Sequence, residues 1–229
     1  MRDERFTLPF QLENLACALD WPAGPARASA ILLAHGMGYH LDSPWMAECA
    51  RGLVAHGFPV LRFNYPYRQR SMRAQRELPP DRAPVLEEAH ALALAALAER
   101  AGGRRLLLAG KSLGGRIATH LAAKGELCHG LVLYGYPLHP PGRPEKLRHE
   151  HFPAIAQPAL FLQGTRDEFA ELGLLRNALA RFGGRATLEV IEGADHGFAV
   201  PKRSGRTDEE VRTALHARVS AWERETFPE

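Results

Sequence analysis

The chain has 229 residues, 45% of them hydrophobic and 24% charged, proportions of an ordinary folded domain that exclude a disordered or fibrous chain. Lys plus Arg number 29 against 26 Asp plus Glu, a formal charge of +3, and only Arg68 to Arg76 concentrates basic residues, so the charge gives no nucleic-acid footprint. The opening Met1-Arg2-Asp3-Glu4-Arg5-Phe6 is charged where a signal peptide is apolar, and no window reaches about 18 uninterrupted apolar residues, so a cytoplasmic protein without membrane attachment is expected.

Short apolar runs alternate with helix-period segments, the pattern of a mostly parallel sheet with helices on both faces, and the length suits one domain, 1–229. Cys17 lies in a predicted strand. Ala28 to Ala34 reads as the next strand, ending in His35-Gly36-Met37-Gly38. Ser43 and Pro44 then stand as cap and first position of a helix carrying Trp45, Cys49 and Leu53, closed by Gly57. Phe58 to Phe63 is a strand, and Asn64 to Asp81 reads as a long loop rich in Arg and Tyr. An Ala/Leu-rich helix, apolar on more than one side, runs from Pro84 to about Ala101 before Gly102-Gly103.

Arg104 to Ala109 is a strand, Leu113 to Lys124 a helix, and Gly130 to Tyr134 a strand with Cys128 in the turn before it. Tyr136 to Gln157 is a proline-rich loop, too short to hold a lid domain. Pro158 to Gln163 is a strand, Leu172, Leu175, Leu179 and Phe182 line a helix face, and Ala186 to Ile191 is the last strand. Thr207 and Glu210 form a capping box for a C-terminal helix that buries Val211, Leu215, Val219 and Trp222. The three cysteines, odd in number and widely spaced, read as buried or incidental thiols.

The chemistry centres on Gly110-Lys111-Ser112-Leu113-Gly114, a Gly-x-Ser-x-Gly run between a predicted strand and a predicted helix. A serine on that turn is lifted clear of the sheet, and Gly110 and Gly114, extended by Gly115, let strand and helix approach. The Leu113 N–H opens the helix and can meet an oxyanion; a second donor comes from the loop after the earlier strand, Met37 or else Gly36, with Gly36 and Gly38 keeping that loop tight. A serine hydroxyl needs a base, and the base needs a carboxylate to set its tautomer. Asp167 and His196 follow two later strands, giving the chain order Ser, Asp, His. Glu168 is the reserve acid; Asp195, adjacent to the histidine, is expected to point away from its ring.

The chain resembles the α/β-hydrolase superfamily, most closely its small, lidless, dienelactone-hydrolase-like members, and Gly110-Lys111-Ser112-Leu113-Gly114-Gly115-Arg116, Gly135 to Gly142 and Gly164-Thr165-Arg166-Asp167 together resemble one bacterial branch of them that has no firmly known substrate. The resemblance implies an α/β-hydrolase fold over nearly the whole chain. Dienelactone hydrolases use cysteine where Ser112 stands, so the serine directs the expectation to esters or thioesters of small molecules rather than to their lactones. The branch also resembles eukaryotic relatives that serve in protein complexes, which leaves a non-catalytic scaffold as one alternative; an acyltransferase is another.

Gly110-Lys111-Ser112 also ends like a phosphate-binding loop, but Arg105 stands where that loop needs glycine. Arg68, Arg70, Arg73 and Arg76 with Tyr65 and Tyr67 are read as a solvated surface in preference to an anion-attracting site mouth. His149-Glu150-His151 lacks zinc-ligand spacing, so no metal and no cofactor are assigned.

Overall fold

The computed structural model describes residues 2–228. Eight strands form one sheet: β1 (Arg2–Phe10), β2 (Glu13–Trp21), β3 (Ser29–Ala34), β4 (Val60–Phe63), β5 (Arg105–Lys111), β6 (Gly130–Tyr134), β7 (Ala159–Gly164) and β8 (Ala186–Ile191). Their order is β1-β2-β4-β3-β5-β6-β7-β8. β1 and β2 form an antiparallel hairpin, with Phe10 opposite Glu13 and Gln11 at φ 52° in its tight turn; β2 is also antiparallel to β4, and every other pairing is parallel.

The continuous apolar runs of the central strands follow from burial on both faces. Leu106, Leu108, Leu131, Leu133 and Phe161 feed one core, while Leu107, Ala109, Val132, Leu160 and Leu162 feed the other. Helices α3 (Ala83–Arg100), α4 (Leu113–Ala123) and α5 (Leu172–Leu179) cover the first core, and α1 (Pro44–Ala55) and α6 (Asp208–Thr226) the second. α6 starts on the expected capping box and buries the four expected apolar residues. Ser43 is the N-cap of α1, but its hydroxyl accepts from the His40 N–H at 2.7 Å instead of from the helix. All three cysteines are free and buried, which pushes their thiols up to about 12.

The segment from Asn64 to Asp81 is not all loop: Pro66–Ala74 forms a helix, α2. Pro66 sits at its first turn, where a missing N–H costs nothing, and Arg, Gln, Met and Ala are all good helix formers. Tyr67 and Ser71, four residues apart, turn its one buried stripe inward. Its arginines are ion-paired, Arg68 with Glu77 at 2.7 Å, Arg70 with Asp81 at 2.5 Å and Arg73 with Glu13 at 2.9 Å. Between β6 and β7 the only regular element among the described residues is one turn of 3₁₀ helix, Phe152–Ala154, so no lid domain covers the sheet edge.

The loop from His35 to Ser43 is fixed by buried polar groups. Arg62, on β4, donates to the Leu41 carbonyl at 2.6 Å and pairs with Asp20 of β2 at 2.8 Å, while Asn64 Oδ1 accepts the Leu41 N–H at 2.7 Å. His35 Nδ1 lies 2.8 Å from the Gly36 carbonyl, so it carries the proton, and Nε2 accepts the Tyr65 N–H at 3.1 Å.

His35 is one of four histidines that burial holds neutral; His35, His151 and His216 are lowered to about 4 and His90 to about 3. Because the folded values lie below the ordinary one, the unfolded chain takes up protons first. Stability is therefore fully present above about pH 6.5 and lost as the pH falls toward 4. The thermal midpoint is expected to fall steeply between pH 7 and pH 5, and less steeply in a variant carrying His151→Gln; a midpoint flat across this range overturns the assignment of neutral buried histidines.

Candidate active site

Parallel β5, β7 and β8 all end at one edge of the sheet, which places the residues after them side by side. Ser112 is the single residue between β5 and α4, at φ 50° and ψ −112°, a region that costs a non-glycine residue about 1–3 kcal/mol. It is held there by contact. A Cβ on Gly110 would lie 2.3 Å from the Gly114 carbonyl carbon, and one on Gly114 would lie 2.4 Å from the Ala34 carbonyl oxygen. The Ser112 N–H is anchored on the Tyr134 carbonyl at 3.0 Å.

Ser112 Oγ lies 2.9 Å from His196 Nε2, and His196 Nδ1 donates to Asp167 Oδ2 at 2.7 Å. The Asp167 side chain is fully buried, and its carboxylate also accepts from Gln163 Nε2 at 2.6 Å and from the Phe169 N–H at 2.9 Å. The Phe169 ring rests on the imidazole, centroids 4.3 Å apart. Glu168 is exposed, and Asp195 turns back to accept from the Gly197 and Ala199 N–H groups, so neither reaches His196.

On the other side of Ser112, Leu113 and Met37 border a cavity of about 190 Å³ with the serine in its wall. The Leu113 N–H is one of the donors that the start of a helix leaves without an intrahelical partner. The loop bearing Met37 is a tight turn, in which the Tyr39 N–H donates to the Gly36 carbonyl at 3.2 Å and Gly38 takes φ 82°. Gly36 is close-packed, since a Cβ there would lie 3.3 Å from the Lys111 carbonyl.

Several neighbours escape sequence reasoning. Gln163, fully buried, bridges Asp167 to the Tyr136 N–H at 2.9 Å. Gly135, at φ 61°, leaves the space beneath the dyad open: a Cβ there would stand 3.3 Å from both Asp167 Oδ2 and His196 Nδ1 and 3.0 Å from Lys111 Nζ. The buried Lys111 ammonium has no hydrogen-bond partner and faces the Phe198 ring at 5.7 Å. Burial lowers it to about 8, against the opposing pull of Asp167 and Asp195. Arg116 and Arg148 border the cavity, as do Pro80 and Asp81 from the end of the segment after α2; none of the α2 arginines does. Among the described residues no cluster of three or more His, Cys, Asp or Glu has metal-binding geometry, and no helix is long and apolar enough to cross a membrane.

A mostly parallel sheet with a serine on a strained strand-to-helix turn, and His and Asp past later strands, defines the α/β-hydrolase fold. A family model described as an alpha/beta hydrolase domain matches residues 27–224, and the chain belongs to that family. It is similar in structure to a dienelactone hydrolase from Anabaena variabilis (21% identity, 99% of this chain and 98% of the other, TM-score 0.77). It is also similar to an α/β serine hydrolase without a lid from Xanthomonas campestris (20%, 96% and 94%, TM-score 0.74). A third similar structure is esterase 2 of Thermogutta terrifontis phosphorylated by paraoxon (19%, 97% and 94%, TM-score 0.72).

Gly135→Ala is expected to strain the backbone and push the His196–Asp167 pair aside without touching a ligand. Labelling of Ser112 by a fluorophosphonate, followed by timed intact mass, should slow by about 10- to 100-fold, the penalty of a misplaced catalytic group. Labelling at the wild-type rate by a folded Gly135→Ala protein overturns this role.

Proposed function

We propose that this chain is a serine hydrolase that cleaves a carboxylic ester or thioester of a small molecule through an acyl-enzyme. The observation that carries the reading is the continuous hydrogen-bonded line from Ser112 through His196 to Asp167, 2.9 Å and then 2.7 Å, beside a cavity. Ser112 Oγ attacks the carbonyl carbon as His196 Nε2 takes its proton, and the carbonyl electrons move onto oxygen. The Leu113 and Met37 N–H groups receive that oxyanion. Asp167 holds the Nδ1 proton and offsets the imidazolium charge, its own position fixed by Gln163 and the Phe169 N–H.

Collapse of the tetrahedral intermediate breaks the bond to the leaving alcohol or thiol, which departs with the proton from His196. Water then attacks the acyl-serine, giving its proton to His196, and the acid leaves as Ser112 regains its hydrogen. The similar structures, a dienelactone hydrolase, a lidless serine hydrolase and a paraoxon-phosphorylated esterase, support this class of chemistry.

Intact mass after fluorophosphonate treatment tests the reading. One adduct on wild type and none on Ser112→Ala is the expected result. No adduct on either protein refutes an activated Ser112 and leaves the scaffold reading in its place.

A further inference from the structure

Arg116 and Arg148 approach the same cavity from different elements. Arg116, on α4, lies one turn beyond Ser112, its N–H donating to the Ser112 carbonyl at 3.0 Å, and both residues border the cavity. Arg148 is pinned by its own backbone, its N–H on the Leu138 carbonyl at 2.8 Å and its carbonyl accepting from the Tyr136 hydroxyl at 2.7 Å.

Their guanidinium groups are left over. Among the described residues Arg116 Nε is buried without a hydrogen-bond partner, and the one side-chain hydrogen bond of Arg148 is a long 3.4 Å approach to the Pro137 carbonyl. Neither forms an ion pair with a carboxylate among the described residues. Asp81 shares the cavity wall; its Oδ1 is held by Arg70 at 2.5 Å and its Oδ2 is buried without a hydrogen-bond partner, but it forms no ion pair with Arg116 or Arg148, and Glu87 is taken by His120 and Lys124. Burial and the neighbouring Arg116 charge both hold Arg148 below the ordinary arginine range. Two half-buried, mutually repelling cations without a counter-ion are costly to hold, and an anion in the cavity removes that cost.

We propose that the cavity selects an ester whose acyl part carries a second, ionised carboxylate, gripped by Arg116 and Arg148 while its carbonyl sits over Ser112. Arginine suits the task because its fork of donors pairs with both oxygens of a carboxylate. At about 190 Å³, roughly six water volumes, the cavity fits a short dicarboxylic monoester better than a long acyl chain. The inference rests on the serine hydrolase reading for its chemistry, but the anion site is separable from it.

The test compares the 4-nitrophenyl monoester of adipic acid with its neutral methyl-capped counterpart, and titrates adipate calorimetrically into Ser112→Ala. Wild type should prefer the charged ester by about 10-fold or more in kcat/KM. Arg116→Gln and Arg148→Gln should each lower kcat/KM for it by about 10- to 100-fold more than for the neutral ester, mainly through KM. Adipate should bind Ser112→Ala saturably and fail to bind once both arginines are also replaced. Equal cleavage of both esters by wild type, or absence of adipate binding to Ser112→Ala, overturns the anion site whatever the arginine variants do. Adipate binding with no cleavage of either ester upholds the anion site and overturns the hydrolase reading instead.

Discussion

The structure turns on how closely β5 and α4 approach each other around Ser112. Gly110 and Gly114 meet with no room for a single side-chain carbon, and Gly114 presses on the carbonyl of Ala34 at the end of the neighbouring strand. That contact forces the left-handed turn at Ser112, and the turn in turn exposes the hydroxyl and aims the first N–H of α4 beside it. The strain is tolerable because β5 is locked between β3 and β6 by parallel ladders on both sides, so the turn has no direction in which to relax. His196 and Asp167 need only stand past the ends of β8 and β7 to complete the line, since β6 and β7 fix the spacing across the edge.

The same edge divides its charges. Behind His196 the Asp167 carboxylate takes three donors, and Gly135 keeps the space under the pair free of side chain. On the cavity side stand Arg116 and Arg148, with one acid, Asp81, whose Oδ1 is held by Arg70. Hydrogen bonds therefore hold the anion that orients the imidazole, while the cations facing the cavity are left available. The buried Lys111 ammonium lies on the Asp167 side, near Gly135 and against Phe198.

Sequence made the central sheet legible because a strand buried on both faces needs an unbroken apolar run, as in Leu106-Leu107-Leu108-Ala109 and Gly130 to Tyr134. Ser112, Asp167 and His196 were legible by their order on strand ends, a property of the chain itself. α2 was not, because only Tyr67, Ser71 and Pro66 turn inward and its polar face has the composition of a loop; Pro66 followed by good helix formers was the available signal. β1 was hidden for a related reason: it lies at the sheet edge, paired on one side, and carries charged residues among its apolar ones. Gly135 and Gln163 act through three-dimensional proximity to residues distant in sequence, and no local pattern records that. Arg116 was in view within Gly115-Arg116, but its cavity partner comes from a loop 32 residues away.

The conspicuous arginines of α2 stay off the cavity while an inconspicuous pair borders it, and the reason is where acids lie. Glu77, Asp81 and Glu13 sit within reach of Arg68, Arg70 and Arg73, so that cluster is paired in place, with Arg73 exposed and Arg68 and Arg70 partly buried. Arg116 and Arg148 stand half-buried at the recess and form no ion pair with a carboxylate among the described residues, and a charge there interacts more strongly because less water screens it. A site with no lid cannot rely on enclosure to hold a small substrate by apolar burial alone. On the reading proposed above, fixed charges at one end of the recess and Ser112 at the other would supply orientation by a different route, one that needs no moving part.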